Sequence, residues 1–406
     1  MAGGVGVTIG GEALSDIPNR VSHISISRGR QDELDRTGTG TCTVSLNYIS
    51  GGISDFIGTE GSVFLNNPLG GGSAIFSGIV DEVLFDFDRS QKVTRCDVTI
   101  VDALDFFAGI ELAPGINGEV PLPDGVDTGN IFYEQAIPQD RINQCVLESG
   151  FAGPTEIFTG NVQVKDTVYS PRTSMLTVIH DAADAEFPGV ANVFVQRDGT
   201  FTFHGRLARF NPGDGQYHIS TYNAGDRAAG MGDASYAQIR GLQMGSSRQR
   251  VINAAMALPE GIADVDIEAQ IVTDAWSIDK YGLRSWSAEN LLTFYDELND
   301  LEANAATKQF ATYYVEHYYA PQVRVEELML RSIRPSHSRA SATWNLLCNA
   351  DISDIVHLKV TNPGIAVDVD FFVEGVRYEI GPTGANYADV TMMLDLSPRA
   401  LWTTSF

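Results

Sequence analysis

Apolar and polar residues alternate over Arg20-Val21-Ser22-His23-Ile24-Ser25-Ile26-Ser27 and again over Thr41-Cys42-Thr43-Val44-Ser45-Leu46. Successive side chains on a strand point to opposite faces, so each run predicts a strand burying one face of a sheet. Short β-branched runs predict further strands at 62–65, 74–87 and 93–101, then a short helix over 103–110. Residues 113–129 carry several Pro, Gly and Asp and read as a linker. Helices are expected at 140–149 and 174–187, the second with Leu176, Ile179, Ala183 and Phe187 in one apolar stripe. A hairpin follows, with strands 192–196 and 201–204 around the turn Arg197-Asp198-Gly199-Thr200. From Tyr236 strands resume, broken by a helix at about 288–318 with Leu291, Phe294, Leu298, Leu301 and Ala305 on one face. Pro321 closes that helix, and strands are predicted at 323–332, 342–347, 356–360, 370–380 and 388–396.

The pattern divides the 406 residues into 1–112, an α/β insert at 113–235, and 236–406 with the long helix. A chain 43% hydrophobic and 19% charged is ordinary for a globular protein of more than one core. No apolar run is long enough to cross a membrane as a helix, and the start lacks a secretory pattern, so a protein made in a cytoplasm is expected. Cys42, Cys96, Cys145 and Cys348 are scattered without a C-x-x-C pair, which predicts free thiols rather than a zinc site or disulfide framework. Charge changes the picture most: 27 Lys plus Arg against 52 Asp plus Glu give −25. That balance excludes a protein that grips phosphate backbones; it suits plain solubility or a wall that repels nucleic acid.

The two ends of the chain echo each other in order. Residues 41–47 match 343–349, Ile53-Ser54-Asp55 matches Ile352-Ser353-Asp354, and 63–68 match 358–363. Phe76-Ser77-Gly78-Ile79-Val80 then matches Phe372-Val373-Glu374-Gly375-Val376, and 97–102 match 389–395. Each pair is weak alone, but five in sequence predict a duplicated β-barrel or sandwich. Three such subunits make a ring of six barrels.

The stretch Val21 to Arg30, the run Thr39-Gly40-Thr41-Cys42-Thr43-Val44-Ser45-Leu46-Asn47, and Phe76-Ser77-Gly78-Ile79-Val80-Asp81 with Asp102-Ala103-Leu104 resemble minor tail proteins of long-tailed phages. Tyr281-Gly282-Leu283-Arg284-Ser285 and Pro321-Gln322-Val323-Arg324-Val325 fit the same pattern. The resemblance implies a tail-tip or baseplate hub, similar to the central hub of contractile-tailed phages. The fold class it implies is mainly β with an α+β insert: two tube-like β-barrel or sandwich domains, 1–112 and 236–406, related by internal duplication, plus the smaller α/β insert. The implied assembly is a pseudo-hexameric trimer in the virion tail tip, formed in the host bacterial cytoplasm. Its implied partners are the distal tail and tail tube proteins, the tape measure protein and other tail-tip proteins. DNA would pass the lumen without specific binding, past acids drawn from Asp81, Glu82, Asp86, Asp88, Asp368 or Asp370. The alternatives are a hexameric distal tail adaptor, and a carbohydrate-binding or cell-wall-degrading tail-tip module.

No complete catalytic motif is present, so no catalytic, cofactor-binding or metal residue is assigned and no cofactor is expected. Gly70-Gly71-Gly72 lacks the Lys and helix of a phosphate cradle and reads as a loop. His180, Asp181 and Asp184 share a helical turn but make at most two corners of a metal site. The pairs Asp86/Asp88 and Asp368/Asp370 lie on common strand faces, as a calcium site or a glycosidase uses. Tyr313-Tyr314-Val315-Glu316-His317-Tyr318-Tyr319 reads as core packing ahead of a sugar-stacking or partner surface.

Overall fold

The alternating runs fold as the strands of two related six-stranded sets, the second of them a closed barrel. In the first set, β1 (Val5–Ile9), β2 (Val21–Gly29), β3 (Gly38–Asn47), β4 (Glu60–Asn66), β5 (Gly72–Asp88) and β6 (Val93–Val101) lie in the order β1-β4-β5-β6-β3-β2. All neighbours are antiparallel, and a two-residue strand, Glu12–Ala13, caps β1. In the second set, β7 (Thr221–Gly225), β8 (Ala237–Gly245), β9 (Arg324–Arg331), β10 (Ile355–Val360), β11 (Val367–Ile380) and β12 (Val390–Pro398) lie in the order β7-β10-β11-β12-β9-β8. Here β8 returns to β7 through Ala237 and Gln238 and closes a six-stranded barrel. This is a computed structural model, and it describes residues 4–14, 21–47, 56–88, 93–112, 131–211, 217–226, 234–260, 270–294, 300–361, 366–381 and 388–402. The expected linker 113–129 and the echo at 53–55 lie outside the described residues.

The two sets match strand for strand, β1 to β6 with β7 to β12. Gly58 donates to the Val80 carbonyl and Val80 to that of Thr59; in the second set Ser353 donates to Val373 and Val373 to Asp354. Gly58 and Ser353 even share a left-handed backbone, φ 79° and 73°. One residue later each long strand bulges against its partner, at Asp81 in β5 and Glu374 in β11. Bulges re-aim a strand and are features of a design rather than accidents. The sets differ at one edge, where β1 runs antiparallel to β4 but β7 runs parallel to β10.

The structural register corrects the sequence repeat. The match of 63–68 with 358–363 holds at its start, since Val63 faces Phe76 as Leu358 faces Val369, while Asn362 and Pro363 lie outside the described residues. Phe76 therefore corresponds to Val369, three residues from the expected Phe372, and Asp97 corresponds to Met393 rather than Asp389. Residues 342–347 are not a strand: they lie in a helix, Ala340–Asn349, and the true counterpart of β3 is β9. Ala340, Thr343, Trp344, Leu347 and Cys348 recur at spacings of three and four and are all buried, which suits a helix and not a half-buried strand. Trp344 anchors the helix, its indole donating to the Ile333 carbonyl at 2.9 Å.

Among the described residues the α-helices are α1 (Ala103–Gly109), α2 (Pro138–Ser149), α3 (Met175–Glu186), α4 (Leu207–Phe210), α5 (Ala275–Tyr281), α6 (Asp300–Tyr318) and α7 (Ala340–Asn349). The expected long helix at 288–318 is shorter. Its first residues form the strand Ser285–Leu291, parallel to Ala254–Pro259, because 285–288 alternate in burial like a strand. Between the barrels, α1, α2 and α3 pack with the sheet of Thr155–Ile157, Asn192–Val195 and Phe201–His204 around one core that includes Phe107, Ile142, Val178 and Phe201. Thr221–Gly225, read from sequence as insert, is a barrel strand. Between β8 and β9, α6 packs on a three-stranded sheet, and Tyr313, Tyr314 and Tyr318 are buried there against Phe187 and Phe310.

A single sheet runs through both barrels because β11 has two neighbours along one edge. Its first residues pair with β10; farther on, Gly375 to Ile380 pair with β2, Gly29 to Ile24. The seam is tight where Gly29 faces Gly375. A Cβ on Gly29 would stand 2.3 Å from the Glu374 carbonyl oxygen, and its φ of 89° disfavours any L side chain. Gly29→Ala should therefore cost about 2–4 kcal/mol from left-handed strain plus the clash. Urea unfolding monitored by tryptophan fluorescence measures it, and a loss below about 1 kcal/mol would mean the seam tolerates a shift.

Candidate functional site

The carboxylate at the seam comes from the bulge residue of β11. Glu374 is 1% exposed, and its backbone carbonyl accepts from Arg30 N at 3.0 Å. Arg30 Nε, just past the end of β2, donates to its Oε2 at 2.8 Å. From α4, Arg209 contacts both carboxylate oxygens at 3.0 Å, while its guanidinium lies 4.5 Å above the Phe372 ring. Ser397 on β12 donates its hydroxyl to Oε1 at 2.5 Å. Burial by itself pushes this carboxyl up, but Arg209 and Arg30, with the Ser397 hydroxyl, outweigh it and hold the group down at about 2. Arg30 also donates to the carbonyls of Asp35 and Gly189, so the same cation ties the first barrel to the segment after α3.

Other ionic contacts pin the insert to the barrels. Arg28 on β2 donates to Asp351 at 2.7 Å and to the Val195 carbonyl at 3.2 Å. Asp351 in turn accepts from the Arg197 backbone at 2.7 Å, in the hairpin turn. Glu186 at the end of α3 accepts from the backbone of Asn161 and Val162 and from Arg206 at 2.9 Å. Buried Glu33 pairs with Arg324 and accepts from Tyr318 at 3.0 Å.

The candidates weighed in the sequence are drawn elsewhere. Asp181 and Asp184 both bind Arg36, at 3.1 and 2.6 Å, and burial with that cation holds the neighbouring His180 down at about 4. Asp368 and Asp370 share His357, with Lys359 on the first and Arg399 on the second. Among the described residues no three His, Cys, Asp or Glu side chains are grouped to hold a metal ion. Gly70 and Gly71 sit in the turn between β4 and β5, closed by Asn67 N donating to the Gly71 carbonyl. Asp81, Glu82 and Asp86 are exposed along β5. No helix among the described residues is long and apolar enough to cross a membrane.

Sequence reasoning missed Glu374, Arg30 and Arg209. The one available signal was Glu374 itself, a lone carboxylate inside the apolar run Phe371-Phe372-Val373-Glu374-Gly375-Val376.

The architecture has solved counterparts. The chain is similar over 99% of its length to the tail protein from Neisseria meningitidis MC58, with TM-score 0.62, 12% identity and 98% of that chain covered. Its fold is that of the phage tail proteins. The 43 kDa tail protein of prophage MuSo2 from Shewanella oneidensis matches over the same 99%, with TM-score 0.60, 10% identity and 98% of that chain covered. No protein-family model and no curated protein sequence matches the chain.

In this tail-protein fold the seam is an internal joint, so its charge should govern how firmly the barrels hold together. Glu374→Gln leaves two buried guanidiniums uncompensated and should cost about 3–5 kcal/mol. Because the folded carboxyl lies below its usual 4.5, its contribution is complete above pH 4.5 and fades as pH falls toward 2. Urea midpoints measured from pH 6 to pH 2.5 should fall for the native chain, and the gap to Glu374→Gln should narrow over that window. A gap independent of pH would mean the carboxylate is not ionised in the fold.

Proposed function

We propose that the chain is a non-catalytic structural subunit of a phage virion, a tail-tip or baseplate hub in which three copies set six barrels in a ring. The observation that carries this reading is one chain holding two six-stranded sets on the same strand plan, one of them a closed barrel, joined edge to edge by β2 and β11. Such a subunit lets a threefold ring present nearly sixfold symmetry to a sixfold tail tube. The likeness to tail proteins along nearly the whole chain supports a tail role. We assign 1–112 and 236–406 to the tube-like halves and 113–235 mainly to the insert, with β7 going to the second barrel. The neighbours in the tail are the distal tail, tail tube and tape measure proteins, and DNA passes the lumen.

The excess of acid supports a conduit that repels phosphate instead of binding it. Sedimentation of the full chain should give three chain masses, and images of purified particles should place the ring at the tail tip. Six copies per ring would favour a hexameric distal adaptor and overturn the trimer. In a gel-shift assay at about 50 mM salt, where cationic sites bind DNA most strongly, the ring should leave double-stranded DNA unshifted. A shifted band would overturn the repelling lumen.

A further inference from the structure

The seam inside the chain shows how a second copy is received. β2 lies on β11 along Gly375 to Ile380, the part of its edge that β10 leaves open. The counterpart of β11 is β5, which pairs with β4 only as far as Ile79, followed by the turn contacts of Val80. Among the described residues, no strand covers the same edge of β5 beyond Val80. Leu84 and Phe85 are 55% and 50% exposed there, on opposite faces of the ribbon. The counterpart of β2 is β8, and its outer edge is paired only at Ala237 and Gln238. Farther along β8, Ile239, Leu242 and Met244 are half-buried. Each barrel thus carries the half of a seam that the other lacks.

We propose that β8 of one copy adds antiparallel to residues 82–87 of β5 in the next, repeating between copies the seam that β2 and β11 make within one. The proposal rests on the ring reading above and names the contact that closes the ring. The register follows from the duplication. Ile380 faces Ile24 within the chain; Phe87 occupies the place of Ile380, and Leu242 that of Ile24, so position 87 faces 242 and Phe85 faces Met244 across copies. The charges carry over as well. The bulge residue of β11 is Glu374, met by Arg30 just past the end of β2; the bulge residue of β5 is Asp81, and Arg248 stands three residues past the end of β8. Asp81 and Arg248 are both exposed, each awaiting the partner that its counterpart has. A free strand edge with exposed apolar side chains is a pairing hazard, and the ring removes it by using it.

The test introduces Phe85→Cys together with Met244→Cys. The four native cysteines are buried, so a new bond reports the new pair. After oxidation the double variant should run at three chain masses on a non-reducing denaturing gel. Either single variant should stay at one, and the two singles mixed should give two. A trimer by sedimentation whose double variant stays at one mass would overturn the pairing and leave the ring. A chain monomeric at every concentration would overturn the ring and the pairing together. A ladder past three masses would keep the pairing and overturn closure at three. Independently, Asp81→Arg and Arg248→Asp should each weaken assembly at least tenfold while leaving circular dichroism unchanged. The double reversal should restore it, and additive losses would overturn the ion pair.

Discussion

Taking a carboxylate out of water costs several kcal/mol unless charge and hydrogen bonds replace the solvent. Glu374 meets that demand only where four segments converge: the end of β2 through Arg30, α4 through Arg209, β12 through Ser397 and its own bulge on β11. The bulge turns the carboxylate inward, and the Gly29 to Gly375 approach lets β2 come close enough for Arg30 to reach it. Shift any one segment and a buried charge is left unpaired. Apolar packing alone would let two sheets slide against each other by a residue with little loss. The ion cluster removes that freedom and fixes one register for the whole thirteen-stranded sheet.

Once the register is fixed, the difference between the halves acquires a meaning. The second barrel closes through the short parallel contact of β7 and β8, whereas β1 and β2 do not meet. The first set stays open between β1 and β2, and β11 extends it along β2. Duplication followed by unequal closure leaves a subunit with one internal seam and the two halves of another. The insert and the body around α6 grow from loops between barrel strands, so they enlarge the subunit without touching the shared strand order.

Much of this was legible in the chain because strands write a period of two. The runs at 21–27, 41–46 and 93–101 sit inside β2, β3 and β6, and the stripe of Leu176, Ile179, Ala183 and Phe187 marks α3. The duplication was legible in order but not in register, since echoes of Val, Ile and Asp recur along any strand. A shift of three or four residues costs nothing in a pattern match but moves a bulge off its partner. Residues 342–347 misled for a related reason: Ala, Trp, Leu and Cys are buried in strand and helix alike, and only their spacing separates the two. The seam was invisible because it joins residues 344 positions apart, and a lone glutamate in an apolar run names a buried charge without naming its cations.

The distribution of charge ties the interior to the exterior. Among the described residues six arginines are buried, Arg28, Arg30, Arg141, Arg209, Arg324 and Arg339, against seven acids, Glu33, Asp102, Glu186, Asp226, Asp354, Glu374 and Asp395. These nearly cancel, so among the described residues the acidic excess lies outside the buried interior. Copies of such a chain repel one another at long range, and salt within a Debye length of about 8–10 Å weakens that repulsion. General electrostatic attraction therefore cannot bring subunits together. What remains is short-range and specific: backbone hydrogen bonds along an open edge, apolar side chains on both faces of it, and a cation placed where the duplicate barrel already keeps one. An acidic surface with two matched strand edges resists random association and still closes one contact, which is what a ring that must not hold its DNA requires.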